Sequence, residues 1–435
     1  MSGRGRHFDA IVLGSGLSGL VAALQLADTG LRVGVFAKGG GYLHFTSGCI
    51  DVLGRDAQGE SIHNPLVAVG DLLERTTEHP YAIAGRQMLV DGVQQFQDAM
   101  QAAGFAFSGD LQANLLLPTA AGSVRRTCLA PAGMVHGRLD EQTPMLIVGF
   151  DHFRDFYPPF LAANLRRICA FPVRHLYLDV PALHGRRHLL PIDLARALDD
   201  PAIRREVGRL VAANLGDAAR VGFPAVLGLE AHRAAVAHVE QLIGRPIFEI
   251  PTLPPSVAGI RISAALRRQL LQRGVRVEIG FWLRGSVEGG RATEIVVDSA
   301  GRPTTHQAEV FVLATGGTGG GGISAAPDGT LRETVFDLAV QGPRDRAAWS
   351  NQSFLGPEPQ PISLAGVRTN EHLQPFTASG QLVENVFVTA SNLPNWDPVH
   401  EGSGEGVALA TARKAATEAL SLLSTSTTAL ATATR

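Results

Sequence analysis

The fold of this chain is decided by a short stretch close to its first residue. Residues 8–19 read Phe-Asp-Ala-Ile-Val-Leu-Gly-Ser-Gly-Leu-Ser-Gly. The apolar half of the stretch, with its β-branched residues, is typical of a buried parallel strand that stops at Gly14. The second half is a G-x-G-x-x-G pattern, which joins such a strand to a helix and predicts a phosphate-binding turn.

The residues that follow complete a strand–helix–strand unit. Apolar residues recur at helical spacing over residues 17–28, and Gly30 provides a helix stop. Residues 32–37 are apolar and rich in valine, which predicts a second strand. Because a crossover of this kind is right-handed and joins parallel strands, the sequence predicts a Rossmann-like unit at the start of the chain.

The glycines of the turn have separate predicted roles. Gly14 permits the tight turn, Gly16 lets the backbone approach a phosphate, and Gly19 allows close packing of helix and strand. The helix start adds unpaired N–H groups and partial positive charge, which attract an anion. A merely structural tight turn is the alternative. The predicted cofactor-binding residues of this turn are Gly14, Ser15, Gly16, Leu17, Ser18 and Gly19.

A second glycine-rich stretch follows a predicted strand at residues 310–313. Residues 313–317 read Leu-Ala-Thr-Gly-Gly, and glycines let a backbone pass close to a flat ligand because they carry no side chain. Thr315 and Gly316 are the predicted cofactor-binding residues here, with an ordinary glycine loop as the alternative. Together with the first turn, the stretch resembles the A-T-G-G segment of two-dinucleotide-binding flavoproteins of the fumarate reductase and glutathione reductase type.

A third glycine-rich stretch opens the predicted last helix, residues 404–422. Residues 401–406 read Glu-Gly-Ser-Gly-Glu-Gly. In flavoproteins of that type, such a helix start directs N–H groups toward the pyrimidine edge of the flavin ring, where negative charge accumulates on reduction. Gly404, Glu405 and Gly406 are therefore predicted cofactor-binding residues. An N-cap at Ser403 is compatible with this role.

Candidate reacting groups follow the second strand. Residues 43–48 read Leu-His-Phe-Thr-Ser-Gly, and the hydroxyls of Thr46 and Ser47, together with Gly48, can meet the edge of a flavin ring at this position. His44 and Ser47 are candidate catalytic residues. His44 is also a candidate for a covalent flavin tether, because related dehydrogenases use a histidine in this region. Packing or capping is the alternative role for this stretch.

A further candidate lies in the second half of the chain. Residues 253–261 read Leu-Pro-Pro-Ser-Val-Ala-Gly-Ile-Arg and place Arg261 in the first turns of a helix. We predict that this guanidinium faces an anion near the flavin, since its planar fork binds phosphate or carboxylate through two hydrogen bonds. Arg125 is a weaker second candidate for this role. Packing is again the alternative.

Length and composition exclude several classes of protein. At 435 residues, 45% of them apolar and 18% charged, the chain is a folded globular protein of more than one ordinary domain. A net charge of −2 with scattered Lys and Arg gives no support for nucleic-acid binding. No apolar run approaches the roughly 20 residues of a membrane span. Cys49, Cys128 and Cys169 form no C-x-x-C pattern, so we expect no iron–sulfur cluster or other metal site. We expect the three cysteines to be small buried residues, and we expect the protein to be cytoplasmic.

The remaining pattern predicts an insertion. Predicted strands at 145–149, 175–180 and 224–229 alternate with helices at 191–214 and 230–243, and later strands at 275–279 and 293–297 suggest a hairpin around Gly289-Gly290. The predicted fold class is α/β, a Rossmann-like two-dinucleotide-binding flavoprotein fold with an inserted α/β lobe. The predicted flavin-binding domain is discontinuous, residues 1–60 and 251–435, and the inserted region is 61–250.

Longer stretches resemble one family, the B subunit of the bacterial anaerobic glycerol-3-phosphate dehydrogenase. The resemblance spans nearly the whole chain and is only in outline over residues 100–245. The matching stretches are the N-terminal glycine turn, residues 43–53, His79-Pro80-Tyr81, residues 251–262 (P-T-L-P-P-S-V-A-G-I-R-I), the A-T-G-G segment, and residues 385–406 with Asp397-Pro398.

The resemblance implies a complex of three subunits on the cytoplasmic face of the inner membrane. In that family, an A subunit with FAD oxidises sn-glycerol 3-phosphate to dihydroxyacetone phosphate, and the B subunit carries FMN. A C subunit with iron–sulfur clusters passes the electrons to quinone. Two alternatives stay open: a self-sufficient fumarate-reductase-like or oxidase-like flavoenzyme acting on a small organic anion, and a non-redox scaffold that has lost its flavin.

The end of the second strand bears on which flavin is bound. Residues 35–38 read Val-Phe-Ala-Lys, so the acidic residue that would hold the adenosine ribose of FAD is missing. A terminal phosphate would gain from the helix start and from Lys38 as a nearby cation. Together with the resemblance, this predicts FMN, with FAD as the alternative.

Overall fold

The structure, a computed structural model, describes residues 6–184, 188–298, 301–353, 356 and 358–433, with side chains up to residue 425. The helices of these residues are α1 (Leu17–Asp28), α2 (Pro65–Arg75), α3 (Pro80–Ala84), α4 (Arg86–Ala102), α5 (Pro158–Leu165), α6 (Pro191–Ala197), α7 (Pro201–Ala212), α8 (His232–Ile243), α9 (Val257–Gln272), α10 (Gly317–Gly320), α11 (Pro398–Glu401) and α12 (Gly404–Ala433). The strands are β1 (His7–Leu13), β2 (Val33–Ala37), β3 (Phe107–Gly109), β4 (Leu115–Pro118), β5 (Val124–Thr127), β6 (Leu129–Pro131), β7 (Met145–Phe150), β8 (Val173–Leu178), β9 (Arg220–Pro224), β10 (Ile247–Ile250), β11 (Arg276–Ile279), β12 (Trp282–Glu288), β13 (Arg291–Asp298), β14 (Thr304–Leu313), β15 (Ile323–Ala325), β16 (Leu331–Glu333), β17 (Val340–Gln341), β18 (Gly366–Val367) and β19 (Val386–Val388).

The chain divides into two compact units, and their limits differ from the predicted ones. The first unit takes residues up to 42, 51–99 and from 265 onward, and the second takes 43–50 and 100–264. Helices α2 to α4 thus fall almost entirely in the first unit, because Tyr81 Oη–H donates to the Val52 carbonyl at 2.6 Å and Lys414 Nζ donates to the Ile83 carbonyl at 2.9 Å. These contacts join residues far apart in the sequence, so the local pattern could not place this boundary.

The first unit is built on a mostly parallel sheet. Strands β11, β2, β1, β14 and β19 are parallel in that spatial order, and β13 and β12 continue from β14 as antiparallel strands. Strand β1 lies between β2 and β14, with Ala10 opposite both Val33 and Val310. The apolar residues of β1 are buried, as expected of a central parallel strand. The predicted strand–helix–strand unit and the fold class are confirmed.

One predicted hairpin has the wrong partner. Strand β13 pairs antiparallel with β12 across the Gly289-Gly290 turn, whereas β11 lies parallel beside β2 on the other side of the sheet. Strand β12 reads Trp-Leu-Arg-Gly-Ser-Val-Glu, which has no regular alternation of polar and apolar residues and contains Gly285, so its pattern did not indicate a strand. Gly285 is required here because a Cβ would lie 2.0 Å from the Phe336 ring.

The second unit has its own parallel sheet, ordered β10, β9, β7, β8, with helices α5 to α8. The helix predicted at 191–214 is two helices, because Pro201 starts α7 behind an Asp200 cap. The strand predicted at 224–229 is wrong, since β9 ends at Pro224. The apolar run beyond it is a loop, in which only the Ala225 N–H still donates to the Ile250 carbonyl of β10. At the end of the loop, the N–H groups of Leu229, Glu230 and Ala231 donate to the carboxylate of Asp199.

The sequence also led to expectations about membrane spans and about the three cysteines. Among the described residues, no helix combines the length and apolar character that crossing a membrane requires. Cys49 and Cys128 are buried and Cys169 is partly exposed. The first two thus occupy interior positions like other small apolar residues.

Candidate functional site

Two glycines of the first turn serve the packing of the chain itself. Gly14 has φ +125°, and a Cβ there would lie 2.1 Å from the Ala314 carbonyl oxygen. A Cβ on Gly19 would lie 2.3 Å from the Gly14 carbonyl oxygen. The turn after β1, the start of α1 and the A-T-G-G segment are therefore held in direct backbone contact, as predicted for a close turn between strand and helix.

Gly16 has a different environment. It occupies the N-cap position of α1 with φ −75°, and no side chain caps the helix. A Cβ on Gly16 would meet no protein atom within 4 Å. The helix start therefore faces open space with N–H groups directed into it, which fits a bound phosphate. Behind it, Gly41 packs so closely that its own Cβ would lie 2.6 Å from Gly16 Cα.

The hydroxyls of the turn have protein partners. Ser15 Oγ–H donates to the Gly39 carbonyl at 2.6 Å, and Ser18 Oγ accepts from Thr389 Oγ1 at 3.3 Å. Leu17 and Ser18 are buried. The side chains of Ser15, Leu17 and Ser18 are therefore used within the protein. A phosphate at this turn would be held by backbone N–H groups.

Lys38 does not have the environment that the sequence suggested. Its amine lies 3.4 Å from the centroid of the Trp282 ring, a cation–π contact at the exposed end of β2. Beside it, the Ala37 carbonyl accepts the N–H of Gly280 at 2.9 Å. The amine already has an aromatic partner on β12, so this geometry does not support a phosphate contact. The residue that ends β2 is still not an acid.

The A-T-G-G segment is anchored by Asn392, which sequence reasoning missed. The Asn392 side-chain oxygen accepts the Gly317 N–H at 2.8 Å, and its amide donates to the Leu313 carbonyl and to Thr315 Oγ1, each at 3.2 Å. Gly316 has φ +92°, which favours glycine. The fully buried Asn392 thus fixes the backbone at Thr315 and Gly316.

Asn392 belongs to a turn, residues 389–392, that connects the three glycine-rich stretches. Thr389 contacts Ser18 on α1, and the Ala390 N–H donates to Thr411 Oγ1 on α12 at 3.0 Å. Ala390 has φ +51°, a rare value for a residue with a Cβ. The sequence signal was the polar run Thr-Ala-Ser-Asn directly after a buried strand.

The start of α12 differs in part from the prediction. The Gly406 N–H donates to the Asp51 carbonyl at 2.9 Å, so it is already used by the protein. A Cβ on Gly406 would lie 2.1 Å from the Tyr81 hydroxyl, which makes this glycine a packing residue. Gly404 and Glu405 are partly exposed. Of the three residues predicted here, Gly404 and Glu405 therefore stay candidates for contact with a cofactor.

The second unit brings two predicted stretches together. The Ser256 N–H donates to the His44 carbonyl at 2.8 Å, and a Cβ on Gly259 would lie only 1.6 Å from the Leu43 carbonyl oxygen. Gly48, with φ +82°, packs closely on Ala258. Residues 43–48 thus lie on the first turn of α9.

The predicted reactive residues of this stretch remain partly exposed. Ser47 Oγ accepts the Cys49 N–H at 3.1 Å, and Thr46 Oγ1 accepts the Gly48 N–H at 3.4 Å. His44 is also partly exposed. The hydroxyls therefore shape the local turn on side chains that remain partly exposed.

Arg261 is part of a buried ion pair instead of an anion-binding surface. Its guanidinium donates to both oxygens of Glu249, at 2.7 and 3.1 Å, and to the Gly228 carbonyl at 2.6 and 2.9 Å. The side chains of Arg261 and Glu249 are 3% and 1% exposed. These contacts leave the guanidinium little to offer a ligand, so the predicted anion-facing role is not supported.

The ion pair also affects the pKa of Glu249. Burial is the largest single influence on Glu249 and acts to raise its pKa. The charges of Arg261 and His232, together with the hydrogen bonds from Arg261 and Leu227, outweigh burial, so the pKa is lowered overall. Burial lowers the pKa of the neighbouring His232, whose Nε2 lies 3.9 Å from Glu249. Glu249 also accepts the Leu227 N–H at 2.7 Å. The pair therefore holds the loop after β9 against α9.

We expect Arg261→Met to destabilise the protein by about 3 kcal/mol, because it leaves the Glu249 carboxylate buried without its counter-ion. The double variant Arg261→Met, Glu249→Gln should recover part of that loss, since an amide needs no counter-ion. Urea unfolding of both variants measures this. Wild-type stability in Arg261→Met would contradict the buried pair and restore the anion-facing role.

The strand order of the first unit, its glycine turn and its open helix start are those of a dinucleotide-binding α/β fold. In agreement, the FAD binding domain family model matches residues 9–388. The B subunit of an anaerobic glycerol-3-phosphate dehydrogenase from Vibrio cholerae serotype O1 is 31% identical over 425 residues, 95% of this chain and 97% of its own. The corresponding protein from Yersinia enterocolitica serotype O:8 is 31% identical over 414 residues, 93% of this chain and 96% of its own.

The chain therefore belongs to the FAD-binding flavoproteins and, among them, to the family of anaerobic glycerol-3-phosphate dehydrogenase B subunits. The predicted resemblance is confirmed. A solved 3-ketosteroid Δ1-dehydrogenase from Sterolibacterium denitrificans covers 96% of this chain and 100% of its own, at 11% identity and a TM-score of 0.45. That likeness is too weak to bear on the assignment.

Proposed function

We propose that this chain is the flavin-bearing subunit of an anaerobic glycerol-3-phosphate dehydrogenase complex. In this complex, sn-glycerol 3-phosphate is oxidised to dihydroxyacetone phosphate and the electrons pass to quinone. The observation that carries the flavin part is the open helix start at Gly16, where a Cβ would meet no protein atom. The two named relatives, similar over 95% and 93% of the chain, support the substrate and the complex.

The chain's own residues have defined tasks in this proposal. The flavin supplies the acceptor for a hydride or electrons. The start of α1 at Gly16 holds its phosphate through N–H groups and the helix dipole. The start of α12 at Gly404 and Glu405 would lie toward the edge of the ring where negative charge accumulates, and its helix dipole would stabilise that charge. The backbone of Thr315 and Gly316, fixed by Asn392, would contact the ring.

His44 and Ser47 remain the candidate catalytic residues, with Thr46 and Gly48 as cofactor-binding neighbours. Their support is partial exposure on a stretch that is fixed at both ends by backbone hydrogen bonds, His44 to Ser256 and Ile50 to Leu129. A histidine and a hydroxyl beside a flavin can hold or move a proton during substrate oxidation. Covalent attachment through His44 would leave flavin on the chain after denaturation.

We propose FMN as the flavin, with FAD as the alternative. The support is the end of β2, where Ala37 and Lys38 replace the acidic residue that commonly holds the ribose of FAD. Because Lys38 lies over Trp282, the phosphate would be held by the start of α1 without help from this amine. Chromatography of the cofactor released by heat should give FMN in stoichiometric amount. Predominant FAD would contradict the proposal.

Lys38→Glu provides a second check of the same proposal. An acid at this position would restore the ribose ligand of FAD and remove the contact with Trp282. We expect its FMN content to stay near the wild-type level, since Lys38 does not hold the phosphate. A large loss of FMN would instead return Lys38 to the phosphate site.

We propose an FAD-containing catalytic A subunit and an iron–sulfur C subunit as partners, with the chain held at the cytoplasmic face of the inner membrane through the complex. Turnover of glycerol 3-phosphate with a dye acceptor, measured with and without the A subunit, tests this. We expect the isolated chain to fail in reducing quinone. Efficient glycerol-3-phosphate:quinone activity of the isolated chain would identify a self-sufficient flavoenzyme, and a colourless chain that still binds the A subunit would identify a scaffold.

A further inference from the structure

A polar cluster at the start of α12 consists of His79, Glu401 and Ser403. His79 and Ser403 are buried, and the side chain of Glu401 is 22% exposed. We propose that Glu401, held by His79, is a positioning residue that fixes the start of α12 and sets the charge beside the flavin. The inference rests on the proposed function, since it requires a flavin at this helix start. It assigns a role to the His79-Pro80-Tyr81 stretch, which the cofactor site described above leaves without one.

The hydrogen bonds of His79 determine its tautomer. Its side chain is 4% exposed, and its Nδ1 accepts the Tyr81 N–H at 3.0 Å, so Nδ1 carries no proton. Nε2, 3.2 Å from Glu401 Oε2, must then carry the proton and donate it to the carboxylate. His79 is therefore a neutral donor that is built into the start of α3 as its N-cap.

Glu401 is fixed through both its side chain and its backbone. Oε2 also accepts the Ser403 hydroxyl at 2.6 Å, and Oε1 accepts the Asp397 N–H at 3.1 Å. The Glu401 carbonyl accepts the N–H groups of Gly54 and Arg55, both at 2.9 Å. The residues that lead into α12 are thus tied to two other segments of the first unit.

Ser403 links Glu401 to the first residue of α12. It is fully buried and directly precedes Gly404, the first residue of α12. Its hydroxyl is bound to Glu401, so a change at the carboxylate acts one residue away from the N–H groups of Gly404 and Glu405. Because the neutral His79 does not cancel the charge of Glu401, a negative charge remains beside the edge where a reduced flavin gathers its own.

This arrangement predicts opposite effects for two variants. Glu401→Gln removes the charge and keeps the shape, so reduced flavin should be favoured and the midpoint potential should become more positive. His79→Asn keeps the helix cap, because asparagine accepts the Tyr81 N–H well, but it cannot reach Glu401. The carboxylate then loses a donor, and the potential should become more negative. The ratio of affinities for reduced and oxidised flavin should change by about fivefold to tenfold in each case.

The experiment is a redox titration of the chain with the flavin that co-purifies, together with the dissociation constant of the oxidised flavin. Ser403→Ala, which removes the other side-chain donor to Glu401, should shift the potential in the same direction as His79→Asn. Asn64→Ala removes a comparable cap from the exposed start of α2 and should leave the potential unchanged.

The outcomes separate the two proposals. A wild-type chain without flavin would overturn the proposed function before any variant is compared. With flavin present, shifts of equal sign in Glu401→Gln and His79→Asn, or unchanged potentials in both, would make the cluster purely structural and overturn this inference. Opposite shifts, with Ser403→Ala following His79→Asn, would support it.

Discussion

Purified Gly16→Val is expected to contain almost no flavin while keeping its fold. The residue has φ −75° and extended backbone geometry, which valine adopts readily. A Cβ at this position meets no protein atom within 4 Å, so the protein bears no steric cost from the first added atom. The branched side chain would instead fill the space into which the N–H groups of α1 are directed. We expect flavin affinity to fall by about 100-fold or more, since charge-assisted hydrogen bonds to the phosphate are lost.

The other two glycines of the same turn provide control variants. Gly14→Ala places a Cβ 2.1 Å from the Ala314 carbonyl at φ +125°, and Gly19→Ala places one 2.3 Å from the Gly14 carbonyl. Both should lower thermal stability strongly, whereas Gly16→Val should not. Flavin absorbance per protein and the thermal unfolding midpoint are the two measurements. Stoichiometric flavin in Gly16→Val would show that the phosphate site lies elsewhere.

Gly259→Ala is expected to be among the most damaging single substitutions in the chain. Gly259 lies inside α9, where alanine is ordinarily the better residue. Here a Cβ would lie 1.6 Å from the Leu43 carbonyl oxygen, and backbone cannot move aside as a flexible side chain can. We expect a loss of roughly 5 kcal/mol or more, because the helix and residues 43–48 must separate.

A matched control is available on another helix. Gly70 lies within α2, and a Cβ there would have as its nearest neighbour the end of the Arg86 side chain at 3.9 Å. Gly70→Ala should therefore stabilise the protein by about 0.5–1 kcal/mol. Urea unfolding compares the two variants. Equal stability of Gly259→Ala and the wild type would mean that residues 43–48 do not rest on α9.

Sequence patterns were sufficient to predict those helices and strands that depend mainly on residues close together in the chain. The strand at residues 8–13, the helix at 17–28 and the strand at 32–37 were predicted within one residue, since each is defined by periodicity and by glycines at its ends. The fold class followed from the same elements, whereas the family followed from longer stretches such as residues 43–53 and 251–262. The loop after β9 was misjudged because its apolar residues are buried through Asp199 and Glu249, which lie more than twenty residues away from most of it.

By itself, the sequence determined the fold class, the glycine turn after β1 and the absence of an acid at the end of β2, because each depends on residues close together in the chain. Tertiary structure alone decided the partners of charged and polar side chains. Arg261 binds Glu249, Lys38 lies on Trp282, and Asn392 fixes the A-T-G-G segment. These pairings join residues from 12 to 244 positions apart, and a buried polar group takes whichever partner the packed backbone brings within hydrogen-bond distance, which no local pattern records.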